Sequence, residues 1–458
     1  VEKSPFKLVL LLLLPISAGP VTAQTAARPL QLATFSVDAT PPIGSPLAYD
    51  PTRGVAHPLT CSGIALLGSD QPIVLCAIDW IGIANDGQTV FKQALATAAG
   101  TTPDRVVVHA LHQHDAPVCD FSTDRLLAER KIETTISDAP FARQVIARAA
   151  AALHIAIQHP QPVTHLGLGQ ATVENVASNR RVLGPDGKVK HVRWSATKDP
   201  AVRAYPTGLI DPALKMITFW NGEQPLVALT YYATHPQSYY RTGLANPDFP
   251  GIARDQRQAA TKFPHIHFDG AGGNVTAGKF NDGAPANRQI LADRVALGMA
   301  KALAATTKTP VTAADVQWQS LPIALPPSPH LDESRLLAIL DDPIKPVRVR
   351  ATAATDLIWL RRCKSGDKIP ITCLHLAKAR VLHMPGELFV EYQLAAQKLR
   401  PDLFIAMAAY GDYAPGYIGT EIAYSQGGYE TEPRVSLVAP SVEPVVNNAL
   451  NRLLLSNP

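Results

Sequence analysis

The chain has 458 residues, 46% of them hydrophobic and 17% charged, which excludes a disordered chain and allows a large core. Its net charge of +4 is dispersed, with no run of five basic residues, so no nucleic-acid partner is expected.

At the start, Lys3 and Lys7 accompany an apolar run over 8–16, and Val21-Thr22-Ala23 has the small residues of a cleavage site. Residues 1–23 therefore read as a signal peptide, with Gln24 as the mature start. The apolar run is too short to span a bilayer. The expectation is a secreted or periplasmic protein with no stable membrane span after cleavage. Disulfides are then permissible. Of the five cysteines, Cys363 and Cys373 bracket a Gly- and Pro-containing loop and are the best pair, and Cys61 with Cys76 is a second. Cys119, five residues past His114, is left over as a candidate soft ligand.

Strands are expected over 64–67 and 73–78, the second ending at Asp79, then a helix over 88–99 stopped by Gly100. A β-branched strand at 106–108 runs into His109-Ala110-Leu111-His112-Gln113-His114-Asp115-Ala116-Pro117. Asp138 and Pro140 open a helix reaching about 158. After a strand at 163–169, segments 213–220 and 226–233 form a hairpin about Asn221-Gly222. Its second strand runs into Thr234-His235-Pro236. A helix at 250–260 and a strand at 265–268 lead to the Gly-rich segment 270–274, which lacks the spacing of a phosphate loop. A long helix covers 285–305. Residues 308–370 hold proline clusters, an amphipathic helix over 332–340 and a basic segment at 348–362, and read as an insertion or lid-like region. A strand at 379–384 ends in Pro385-Gly386-Glu387, a helix runs over 387–399, and a last strand at 404–409 precedes a crowd of tyrosines. The alternation implies one α/β domain over 24–458, with mixed β-sheets flanked by helices.

Asp79, His112 with His114, His235 and Glu387 all stand at strand ends, the edge where open α/β sheets place their chemistry. Residues i and i+2 of a strand point the same way, so His112 and His114 would share a cavity. Histidines with a glutamate are ligands of hydrolytic zinc, and nearby tyrosines supply oxyanion donors. Each residue also has a plain reading. His109 suits a core histidine, Glu387 a first-turn glutamate favoured by the helix dipole, Arg180 and Arg181 a solvated pair, and the tyrosines packing.

Five segments, in order, resemble the catalytic domain of the neutral (non-lysosomal) ceramidases, which are zinc-dependent amidases. They are Leu111 to Pro117, Asn179-Arg180, Ala233-Thr234-His235, Met384-Pro385-Gly386-Glu387, and the run from Tyr417 through Thr420, Tyr424 and Gln426 to Tyr429-Glu430. The resemblance implies Zn2+ held by His112, His235, Glu387 and Tyr417. It also implies His114 as the proton carrier, with Arg180 and Tyr429 contacting the scissile carbonyl. Where that family has an acid and a serine, this chain has Asn274 and Thr276, so Thr276 is expected to replace the serine hydroxyl. Asn274, Lys279 and Asp282 are expected to bind substrate. The family's C-terminal β-sandwich is not expected, nor is a hydrophobic loop for withdrawing lipid, so the substrate is expected to be more polar than ceramide. Amide hydrolysis is the first expectation. Cleavage of an ester, lactone or carbohydrate linkage, or ligand binding without turnover, are the alternatives.

Overall fold

The computed structural model describes residues 1–5, 8, 29–133 and 136–455, so most of the expected signal peptide lies outside the described residues. Three sheets carry the fold, and each places two parallel strands side by side at one edge. In the first sheet, Val106–Ala110 lies parallel to Ile73–Ile78, followed by Thr60–Leu67, Leu30–Asp38 and Gln161–Val163. In the second, His265–Asp269 lies parallel to Gln224–Tyr232, then Ala213–Asn221, His165–Thr172 and Thr307–Pro310. In the third, Phe404–Ala408 lies parallel to Ala379–His383, then Ile369–Leu376 and Val316–Ile323.

The inner faces meet in one core. Leu75 and Val107 of the first sheet, Phe219 and Leu229 of the second, and Leu374 and Val381 of the third belong to the same buried cluster. The three edge strands are stitched just past their ends: Ala110 N donates to Tyr410 O at 3.0 Å, and Ala409 N to Asp269 O at 2.9 Å. Each parallel pair therefore delivers its carboxyl ends to one place, where ligands bind in such sheets.

Helices cover the outer faces. Ala139–Ala156 begins where Asp138 accepts the Phe141 N–H, and it buries Phe141, Val145, Ala149 and Leu153 at helical spacing against the first sheet. Asp248–Thr261 and Ala286–Ala304 lie over the second sheet, and Val347–Lys364 and Val442–Leu455 pack in the cluster of the third. No helix among the described residues is long and apolar enough to cross a membrane.

The α/β expectation with mixed sheets holds. Residues 308–370 include the edge strand Val316–Ile323 of the third sheet, paired with Ile369–Leu376, and between the two strands the helices Glu333–Asp341 and Val347–Lys364. Helix Val347–Lys364 buries Ala351, Ala354, Leu357 and Leu360. The expected Cys363–Cys373 bridge is absent, and all five cysteines are free thiols. Cys363 points to the Leu325 carbonyl at 3.7 Å while Cys373 is buried in its strand. Cys61 and Cys76 face each other with their sulfurs 3.5 Å apart. Cys119 is buried in the core beneath the first sheet, and burial pushes its thiol well up, which does not suit a ligand.

Candidate metal centre

The three parallel strand pairs contribute to one buried cluster. Strand Val106–Ala110 ends two residues before His112, whose backbone turns left-handed with φ 64°. That turn, rather than strand alternation, brings the His112 and His114 rings to 4.9 Å in an edge-on contact. The turn is held by Leu111 N donating to Ile78 O and His112 N to Trp80 O. Strand Gln224–Tyr232 leads to His235, whose ring lies 4.6 Å from His112 and 5.1 Å from His114. Strand Ala379–His383 leads to Glu387, which sits in a two-residue parallel pairing with Tyr417.

The hydrogen bonds settle which ring nitrogens are offered. His112 Nδ1 donates to the Ile81 carbonyl at 2.7 Å, so Nε2 is the nitrogen left to face the cluster. His114 Nδ1 likewise meets the His112 carbonyl at 3.1 Å. One ligand atom from each of His112, His114 and His235 lies within 4.8 Å of the others. Burial, reinforced by the neighbouring histidines, holds His114 and His235 well below the usual imidazole range and keeps them neutral, the state a cation requires.

Glu387 supplies the negative charge. Burial works against its ionised form, but His112, with Tyr417 and Arg180, outweighs it, and the carboxyl lies below its ordinary range. Its Oε1 accepts from the Tyr413 hydroxyl at 3.0 Å, while Oε2 is buried without a hydrogen-bond partner. That orphan oxygen stands 3.3 Å from His112 Nε2 and 3.8 Å from His235 Nδ1. A carboxylate oxygen and two imidazole nitrogens converging in a dry site form a donor set that a metal ion can join. The donors therefore fit a metal.

Around this cluster, Tyr417 stacks parallel to His235 at 6.4 Å, and Arg180 lies over the rings of Tyr417 and Tyr429 at 5.0 and 5.3 Å. Arg180 Nε is fixed by Glu430 at 2.6 Å, leaving Nη2 buried without a partner. Glu387, Tyr413, Tyr417 and Tyr429 line a cavity of about 710 Å³. Its other walls are apolar at Leu47, Ile81, Val118 and Leu437, and charged at Asp124, Arg348 and Asp356.

Four residues expected at the site are placed elsewhere. Thr276 is fully buried in a short pairing with Ser178, and its hydroxyl donates to the Arg193 carbonyl at 3.1 Å. Asn274 holds the start of helix Val390–Leu399, accepting from Val390 N at 2.9 Å and donating to Glu391 at 2.8 Å. Lys279 donates to the Arg203 and Tyr205 carbonyls, and Asp282 accepts from Ala284 N and Asn287 ahead of helix Ala286–Ala304. None of the four lines the cavity. His109 is a core histidine, its Nδ1 donating to the Ala409 carbonyl at 2.6 Å.

Sequence reasoning placed Tyr410 and Tyr413 in the tyrosine crowd without a role of their own; Tyr410 stacks on His112 at 4.6 Å and Tyr413 donates to Glu387. It missed Tyr49 and Tyr240, which flank His114 at 6.0 and 5.5 Å. Tyr410 and Tyr413 both follow the last expected strand, so the rule that pointed to the other strand ends gives them their place at the site. Tyr49 lies in irregular chain and carries no local signal.

The Gly-rich segment is a spacer. A side chain on Gly272 would meet the Thr234 backbone at 2.8 Å, and one on Gly273 the Glu387 carbonyl oxygen at 2.3 Å. The segment thus lies in direct contact with the chain just before His235 and with the backbone of Glu387.

No protein-family model and no curated protein matches the sequence. Solved structures do. Neutral ceramidase from Pseudomonas aeruginosa superposes with a TM-score of 0.67 at 15% identity, over 93% of this chain and 74% of that one. A ceramidase complexed with C2 gives 0.66 at 16% identity, over 93% of this chain and 75% of that one. Across nearly its whole length, this chain has the neutral-ceramidase fold.

Proposed function

We propose that the protein is an exported zinc-dependent hydrolase that cleaves an amide in an N-acyl substrate. The observation that carries this reading is the buried donor set of His112, His114 and His235 with the orphaned Oε2 of Glu387, which lines the cavity. That the structural neighbours are ceramidases supports the bond type.

His112, His235 and Glu387 would hold zinc, with Tyr417 beside Glu387 as the further ligand that the family resemblance implies. Zinc, when bound, lowers the pKa of a water to about 7 and polarises a carbonyl. The chain's own groups do the rest. The Tyr429 hydroxyl, at the cavity, and Arg180, stacked over the Tyr417 and Tyr429 rings behind it, are the donors this reading assigns to the scissile carbonyl oxygen. His114, its Nδ1 held by the His112 carbonyl, has its other nitrogen free to pass a proton to the leaving amine. The apolar walls receive the acyl part and the charged wall the polar part of the substrate. Lys279 and Asp282, which suggested a carbohydrate-like substrate, are occupied by the scaffold. Export rests on residues 1–23 and predicts a mature protein beginning at Gln24, readable by N-terminal sequencing.

Elemental analysis tests the site: about one zinc per chain in the wild type, lost in His235→Ala and Glu387→Ala. Full zinc in both variants would overturn it. His114→Ala separates two roles, since a proton carrier keeps its zinc and loses turnover, whereas a ligand loses both. A panel of N-acyl amides, esters and glycosides, with and without chelator, tests the bond. Chelator-sensitive turnover of esters or glycosides alone would overturn the amidase reading.

A further inference from the structure

The motif that carries His114 continues into Asp115, which the proposed reaction leaves without a task. Asp115 is buried, and its carboxylate holds a loop. Oδ1 accepts from Arg241 N at 2.9 Å and Thr242 N at 3.2 Å, Oδ2 accepts from the Thr242 hydroxyl at 2.7 Å, and Arg288 lies 4.0 Å from Oδ2. Within this clamp Arg241 takes a left-handed backbone with φ 65°. A residue with a side chain keeps that conformation only where its surroundings impose it. The clamp therefore decides where Arg241 stands.

The Arg241 guanidinium lies over the ring of Tyr49 at 4.9 Å and over that of Tyr240 at 5.6 Å. These are the two rings that flank His114. Arg348, at the start of helix Val347–Lys364 and in the cavity wall, reaches the Tyr49 ring as well, at 5.4 Å. Both arginines are exposed and open to a ligand, and among the described residues neither side chain is paired with a carboxylate. Two cations drawn onto one ring repel each other, and an oxyanion offers both of them an acceptor. The acids of the same cavity are engaged or distant. Asp50 pairs with Arg53 at 3.8 Å, Asp120 caps the helix Phe121–Glu129 and Asp124 meets Ser137. Asp356 stands eight residues along the helix from Arg348, roughly 12 Å away.

In the reaction proposed above, His114 passes a proton to the leaving amine. The two arginines, one ring beyond His114, then stand on the amine side of the scissile bond. We propose that the amine portion of the substrate carries an oxyanion, as in an N-acyl amino acid, and that Arg241 and Arg348 receive it. This assignment rests on the proton-carrying role of His114.

Titration calorimetry of the zinc-loaded protein tests it with N-octylsulfonyl glycine, N-octylsulfonyl taurine and the neutral N-octylsulfonyl glycinamide, which resist hydrolysis. Cleavage of the three matching octanoyl amides is followed beside it. The carboxylate or the sulfonate is expected to bind at least about tenfold more tightly than the neutral compound, and the tighter of the two identifies the oxyanion. That preference should shrink with added salt and fall to within about threefold in the double variant Arg241→Gln with Arg348→Gln. A ratio between ligands on one preparation does not depend on how much of a variant is folded. Equal binding of all three by the wild type would overturn the proposal. So would a preference that survives in the double variant, which would put the oxyanion on the metal. Turnover separates this proposal from the amidase reading. An arginine-dependent preference without cleavage of any octanoyl amide sinks the amidase and retains the oxyanion site. Cleavage of all three at equal kcat/KM retains the amidase and sinks the oxyanion site.

Discussion

Single side chains around the cavity carry measurable consequences. Tyr413 donates to the Glu387 oxygen that faces away from the histidines, which fixes the carboxylate's orientation. Removing such a partner typically lowers metal affinity 10–100-fold. Tyr413→Phe is therefore expected to weaken zinc binding by about that factor in a chelator competition, with little loss of fold. An unchanged affinity would free Tyr413 of that role. Asp356 in the charged wall behaves differently: burial pushes its carboxyl up to about 7, and among the described residues it has no hydrogen-bond or ion-pair partner. In the unfolded chain an aspartate titrates near 4. Between about pH 4 and pH 7 the unfolded chain gives up this proton while the folded protein keeps it, so stability falls as pH rises and the penalty is complete above about 7. Asp356→Asn should thus raise the unfolding free energy measured by urea titration at pH 8 by on the order of 1–3 kcal/mol and leave it unchanged at pH 4. Equal effects at both pH values would mean the stabilisation has another source.

At the level of elements, much was legible in the sequence because hydrophobic period and punctuation agreed. The helices expected over 138–158 and 285–305 are Ala139–Ala156 and Ala286–Ala304, each marked by a proline at its start. The expected hairpin is Ala213–Asn221 with Gln224–Tyr232. The helix expected from Glu387 begins instead at Val390, because Glu387 and Leu388 pair in parallel with Tyr417 and Ile418, a contact thirty residues away that no local pattern encodes. The same non-local wiring decides Asn274. Its amide bridges to the first turn of helix Val390–Leu399, so it acts as a cap supplied from another segment. Asn274→Ala is expected to destabilise by about 1–2 kcal/mol. Any fall in activity should appear with a lower Tm rather than as a higher KM in a stable protein, and a raised KM at unchanged Tm would restore Asn274 to substrate binding.

For the whole molecule, each sheet is a separate piece of hydrophobic bookkeeping, and the metal donors are drawn from all three. His112 follows the first sheet, His235 the second and Glu387 the third. An ion held by all of them links three structural units, and binding that favours the folded state stabilises it by about 4 kcal/mol at a thousandfold excess over Kd. Chelation should therefore lower Tm and make unfolding less cooperative in calorimetry, and readdition of zinc should restore both. An identical melting curve with and without metal would show that the sheets hold together without it.

The glycines between His235 and Glu387 have a consequence for how such proteins diverge. Gly272 and Gly273 are buried and outside the cavity lining, and any larger residue collides chiefly with backbone. They act as a gauge that sets the gap between two sheets, whatever molecule sits in the cavity. Descendants of this chain are free to change the lining and the bond they cleave, but not this gauge without rebuilding the junction. Glycine at these positions is thus a marker of shared architecture. Whether two such proteins do the same chemistry must be read from Arg180, Tyr429 and the cavity walls.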